Sequence, residues 1–108
     1  MTAHLVRAMI LIGAAGGLPS PSVAAPQVHT ILIDKMKFGA APAGLKVGDT
    51  IIWDNRDMFR HTATASDGSF TIDLAPGAKG KIVLRHPGRI GFACKYHPGM
   101  RGILMVGQ

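Results

Sequence analysis

Near the C-terminus the run Cys94-Lys95-Tyr96-His97-Pro98-Gly99-Met100 sets a thiol, an imidazole and a thioether at three-residue intervals. Thiolate, imidazole and thioether are the soft and borderline ligands that suit copper, and one more imidazole would complete a trigonal His₂Cys set with a weak axial Met, the donor arrangement of a centre that passes single electrons. His61, in the segment Met58-Phe59-Arg60-His61-Thr62-Ala63, is the candidate for that fourth ligand. Taken singly, each residue has an ordinary structural reading, because a lone Cys is a small buried hydrophobe and a Met fills core space. Their clustering argues for ligation. Pro98 and Gly99 argue against a helix or an unbroken strand through the run and predict a tight loop, on which the three side chains can converge.

Such ligands need a frame. Runs at 28–34, 43–47, 50–55, 61–65, 69–73, 79–84, 89–94 and 102–106 are rich in Ile, Val, Leu, Thr and aromatic residues. Turn dipeptides stand between several of them: Gly48-Asp49, Asp67-Gly68, Pro76-Gly77 and Pro87-Gly88. Short strands at this spacing predict an all-β antiparallel sandwich or barrel, and no long stretch carries helical periodicity. Ile51, Trp53 and Asn55 alternate onto one face, and Ile90, Phe92 and Cys94 onto another, so the Cys94 side chain is expected to point inward. With 108 residues and 47% hydrophobic content, the chain has the size of one small domain and leaves no room for a second catalytic module. A core of that size gives modest stability, to which a bound metal would add.

Residues 1–25 read as an export signal. His4 and Arg7 form a positive start, Ala8 to Leu18 an apolar stretch, and Ser22, Val23, Ala24 and Ala25 a run of small residues after the break at Pro19 and Pro21. Cleavage is expected near Ala24 or Ala25, which leaves residues 26–108 as the mature domain and places it in the periplasm. The apolar stretch is too short to span a bilayer, which takes about 20 residues, so stable membrane insertion is not expected; an uncleaved short anchor is the alternative. In an oxidising compartment one Cys cannot close an internal disulfide, and burial or ligation must protect it.

Glu is absent, and six Asp against twelve Lys and Arg give a net charge of +6. The pI near 10.1 suits an acidic protein partner, an anionic membrane surface or nucleic acid. Nucleic acid fits least, since the basic residues are scattered and no basic helix, zinc finger or aromatic RNA-binding signature accompanies them.

At this point the residues resemble a known family. The segment from Ile33 through Ala65, the Asp67-Gly68-Ser69-Phe70 and Pro76-Gly77 turns and the run from Arg89 to Gly102 are similar to the small blue-copper proteins of the plastocyanin and amicyanin family, the cupredoxins. The likeness covers nearly all of residues 28–108. The two-residue gap between His97 and Met100 resembles the short amicyanin loop. The resemblance implies a Greek-key β-sandwich of about eight strands with one type 1 copper at its end, held by His61, Cys94, His97 and Met100. It implies an exposed His97 edge as the electron port, with Met58, Phe59, Pro98 and Gly99 as an apolar patch, or as ordinary loop residues. It implies a buried Asn55 that hydrogen-bonds the ligand loop, or else a strand-end turn residue. In the amicyanin pattern Asn follows the first ligand; here Thr62 does, which leaves its backbone amide free to reach the Cys94 sulfur but removes a side-chain amide link.

The expected function is a periplasmic carrier, not an enzyme, that passes single electrons between a protein donor and a protein acceptor as a monomer. Arg60, Lys95 and Arg101 flank the port and suit an acidic partner surface in a transient encounter. By analogy with the family, an amine dehydrogenase and a c-type cytochrome are the partner types. The alternative is a periplasmic copper chaperone or resistance protein, which would trade the metal itself. A copper enzyme would need a second set of His ligands, and His29 and His86 stand at unsuitable places.

Overall fold

The computed structural model of the chain describes residues 25–108 together with residues 3, 17 and 18. The export signal expected over 1–25 therefore lies almost wholly outside the described residues. These contain nine strands and no helix: β1 (Val28–Asp34), β2 (Lys37–Phe38), β3 (Leu45–Lys46), β4 (Thr50–Asn55), β5 (His61–Ala65), β6 (Thr71–Leu74), β7 (Lys79–Val83), β8 (Gly88–Cys94) and β9 (His97–Gly107). Accordingly, no helix among them is long and apolar enough to cross a membrane.

Two sheets form, with strand orders β2-β1-β4-β7 and β3-β9-β8-β5-β6. The expected sandwich is present, but it is not wholly antiparallel. β1 pairs with β4, and β3 with β9, in parallel. The chain crosses to the second sheet at β3 before it returns to lie beside β1, so β4 runs in the direction of β1. β2 is not among the runs read from the sequence, because two residues are too few to show a period.

Alternation along the strands fills the space between the sheets. Ile31 and Ile33 of β1, Ile51 and Trp53 of β4, Ala63 of β5, Leu74 of β6, Phe92 and Cys94 of β8 and Leu104 of β9 are all buried. Trp53 is the centre of this core, with ring centroids 5.4 Å from Phe70 and 5.6 Å from Phe92, and Phe92 meets Phe38 edge-on at 4.8 Å. Directly opposite Phe92 on β9 stands Gly102. A Cβ there would lie 2.3 Å from the Phe92 ring, so the aromatic packs flat over backbone that only glycine leaves bare.

The end of β4, the start of β5, the end of β8 and the start of β9 carry Asn55, His61, Cys94 and His97 respectively. The β8–β9 connection corrects the loop expected there. Cys94 pairs with His97 across a two-residue turn at Lys95 and Tyr96, and β9 has already begun at His97. The next pair is Ala93 with Arg101, so Pro98, Gly99 and Met100 have no partner on β8 and form a bulge within the strand. Pro98 is tolerated because its missing N–H falls where the ladder is interrupted.

Candidate metal centre

The bulge has a consequence for side-chain direction. Three extra residues on β9 return Met100 to the interior, where it is 4% exposed and packs with the core, while Pro98 and Gly99 stay outside. Cys94, at the last position of β8, is also buried. His61, first residue of β5, is fully buried, and His97 is half-buried. Sequence positions 61, 94 and 97 thus meet at one pole, with donor atoms all within 4.8 Å of one another.

Individual distances fit one small ion. Cys94 Sγ lies 3.8 Å from His61 Nδ1 and 3.5 Å from His97 Nδ1. For bonds of about 2.0 Å to nitrogen and 2.3 Å to sulfur, two ligands 120° apart stand about 3.7 Å from each other. The two imidazole rings are 5.0 Å apart and tilted by 59°, so both nitrogens face the sulfur without stacking. A thiolate with two imidazoles, and a thioether following three residues after the second, is the donor chemistry of a type 1 copper site.

Hydrogen bonds hold this arrangement from outside. The Thr62 N–H donates to Cys94 Sγ at 3.3 Å, and the Lys95 N–H donates to Thr62 Oγ1 at 2.9 Å. The amide link is absent as expected, but the Thr62 hydroxyl supplies a side-chain link of its own to the β8–β9 turn. Thr62 Oγ1 also contacts Thr64 Oγ1 at 3.0 Å, which in turn contacts Thr71 Oγ1 at 2.9 Å.

Asn55 is fully buried. Its amide nitrogen donates to the carbonyls of Phe59, Leu74 and Ala75 at 2.8, 3.0 and 3.2 Å, and its Oδ1 accepts the Asp57 N–H at 2.9 Å. It therefore braces the segment that leads to His61, and its bonds do not reach the Cys94–Met100 turn. Among the residues proposed for the port, Met58 and Phe59 are 85% and 55% exposed, and the neighbouring Tyr96 is 56% exposed. Two of the flanking cations are already engaged. Arg60 Nη1 pairs with Asp73 at 2.5 Å, and Arg101 Nε donates to the Pro98 carbonyl at 3.0 Å. Lys95 is exposed. Of the other histidines, His29 bonds Asp49 at 3.1 Å, and His86 is exposed.

One residue escaped the sequence reading. Asp57 Oδ2 lies 2.8 Å from His61 Nε2 and accepts the Met36 N–H at 2.9 Å, while Oδ1 accepts the Lys35 N–H at 3.2 Å. The Met36 amide first, and the His61 contact after it, hold the Asp57 carboxyl below its ordinary value of 3.8. Its spacing of four residues from His61 was the available signal, but a lone Asp before an exposed Met-Phe pair reads as a turn residue.

Comparison with known proteins agrees with this geometry. A family model for the cupredoxin-like domain matches residues 6–106. No curated protein matches the chain. Among solved structures, mutants of amicyanin are similar to it. A Cu(I)-form mutant shares 26% identity at a TM-score of 0.63, covering 79% of this chain and 86% of that one. A reduced Cu(I) mutant at pH 4 shares 27% identity at 0.63, covering 82% and 95%, and an oxidised mutant 26% at 0.63, covering 79% and 86%.

Proposed function

Because the chain belongs to the family of cupredoxin-like domains, we propose that it is a periplasmic type 1 copper protein that carries single electrons between protein partners, with His61, Cys94, His97 and Met100 as ligands. The observation that carries this reading is the convergence of two imidazole nitrogens on a buried sulfur, all within 4.8 Å. Copper bound there supplies a one-electron couple between Cu(I) and Cu(II).

The protein's own groups suit that task. Cys94 receives the Thr62 N–H, which withdraws charge from the sulfur, and the buried His61 and Met100 exclude water from one side. His97 alone of the three clustered donors is partly open to solvent, beside exposed Tyr96, Pro98 and Gly99. An edge that a partner can approach through apolar residues lets an electron pass without the site opening. Lys95 contributes an unpaired positive charge among the described residues, and the guanidinium of Arg101 keeps its outer nitrogens available while Nε is bonded. An acidic partner surface fits this rim, and its association is expected to slow as salt is raised.

The competing reading, copper delivery, differs in what leaves the protein. We expect the copper-loaded protein to accept and return one electron per molecule repeatedly while a Cu(I) chelator in excess removes little metal. Rapid loss of copper to that chelator, with no reversible one-electron wave, would move the assignment to delivery.

A further inference from the structure

We propose that the end of the sandwich opposite the metal centre binds a small amphipathic anion: an organic carboxylate whose apolar body enters the seam between the two sheets and whose charge meets Arg85 and Arg89. This site is independent of the copper reading, because none of the proposed ligands lines it.

The seam exists because two strand edges are left open there. β5 begins at His61 and β8 ends at Cys94, so the end of β5 and the start of β8 lie at the far pole. β8 pairs with β9 from Gly88 onward, but with β5 only at Phe92 and Ala93, extended by the Ser66 N–H to the Gly91 carbonyl at 2.8 Å. The chain then turns away through Asp67-Gly68, and the start of β8 has no strand on that side. Across from it stands β7, the last strand of the first sheet. After Val83 the chain is drawn off towards the β3–β4 turn, since the Leu84 N–H donates to the Asp49 carbonyl at 2.8 Å and the Leu84 carbonyl accepts the Gly48 N–H at 2.7 Å. What remains between the edges is a pocket of about 480 Å³, within the range of about 300–1,000 Å³ that small-molecule sites occupy.

Its floor is apolar and unfinished. Ile82 is paired with core residue Ile51, Ile90 alternates with Phe92 and Cys94, and Phe70 lies against Trp53 with ring centroids 5.4 Å apart. All three pack on the core, yet each is only partly buried. An apolar guest would complete their burial, at about 25 cal/mol for each Å² removed from water. The mouth is cationic. Arg85, His86 and Arg89 line it, all exposed, and none takes part in an ion pair among the described residues, whereas Arg56 and Arg60 are matched with Asp54 and Asp73. The one acid at the mouth, Asp67, accepts the Ser69 N–H at 2.8 Å. Two guanidiniums against one carboxylate leave a net positive rim, and a guanidinium takes a carboxylate through paired, charge-assisted hydrogen bonds. A concave seam of this size suits a free molecule rather than a flat protein surface.

The test titrates the protein with octanoate and follows backbone amides by NMR, beside octanol, which drops the charge, and acetate, which drops the apolar body. We expect octanoate to shift the amides of Phe70, Ile82, Leu84 and Ile90 saturably, and to bind about tenfold or more tightly than either partial probe. Replacing both exposed guanidiniums, Arg85→Ala with Arg89→Ala, should weaken octanoate by about tenfold or more and leave octanol unchanged. Shifts that do not saturate, or that centre on the exposed Met58 and Phe59 or Ile103 and Met105, would overturn the proposal, as would undiminished octanoate binding in the double variant. Two further outcomes would overturn it in favour of another occupant. Seam amides that move with protein concentration and not with octanoate would assign the site to a second copy of this chain, and a response to an acidic octapeptide alone would assign it to a protein partner.

Discussion

Two segments bring the proposed ligands together, and they are built differently. The stretch from Asn55 to His61 is tied down by four hydrogen bonds to the Asn55 side chain and three to the Asp57 carboxylate, and it ends in a fully buried imidazole. The turn from Cys94 to Met100 is held by the Thr62 contacts and by Arg101 on the Pro98 carbonyl, and it leaves Lys95, Tyr96, Pro98 and Gly99 exposed. The first segment fixes geometry; the second meets solvent. An electron carrier needs both, since a site that keeps its shape in two oxidation states must also come within reach of a partner. Rigidity on one side of the metal allows accessibility on the other.

The largest effect is expected from the rigid side. Asn55→Ala leaves three carbonyls and an amide without their buried partner and should cost about 3 kcal/mol of stability, read by chemical denaturation. A loss no greater than that of an ordinary surface substitution would mean that the Asn55 bonds do not brace the segment. On the turn side, Thr62→Val keeps the shape but removes the acceptor of the Lys95 amide, for about 1 kcal/mol. Thr62→Ser should restore it; equal losses in Val and Ser would assign the effect to packing.

Acid offers a way to separate the metal pole from the rest. The carboxyls of Asp57 and Asp49 are both held below the ordinary 3.8, chiefly by the Met36 amide in one case and the Gln27 amide in the other. Groups with depressed folded values contribute stability that is complete above their unfolded value and is lost as pH falls through the folded one. The metal-free protein should therefore keep its stability from neutrality down to about pH 5 and lose it below about pH 4. Asp49→Asn, with its Gln27, Lys46 and His29 contacts, should lessen this acid dependence and leave the copper spectrum alone. Asp57→Asn should alter both. The smallest change in stability is expected at Met58, 85% exposed: Met58→Ser should stay within about 0.5 kcal/mol yet slow electron exchange with a protein partner. An unchanged rate would remove Met58 from the docking surface.

Much of this was legible in the residues. Alternation at Ile51-Trp53 and at Ile90-Phe92-Cys94 marks buried faces because a half-buried strand has a period of two, and it placed the core side chains where they are found. The Cys94, His97 and Met100 spacing is local, so their convergence needed only a turn. What alternation does not encode is pairing over distance. The parallel register of β1 with β4 depends on where the chain crosses between sheets. The contact between Asp57 and the Lys35–Met36 amides, 21 and 22 residues away in the chain, exists only once that crossing has been made. The Thr62 link to the Lys95 amide was missed for a related reason. Whether a short hydroxyl replaces a longer amide depends on how closely β5 approaches the β8–β9 turn.

The central claim is that Cys94 and two imidazoles hold one type 1 copper, and it is tested most directly by the visible and EPR spectra of the Cu(II)-loaded protein beside Cys94→Ser. The account predicts an intense blue thiolate-to-copper band and a narrow copper hyperfine splitting, both lost in the Ser variant. A weak, ordinary Cu(II) spectrum that the substitution leaves unchanged would contradict it.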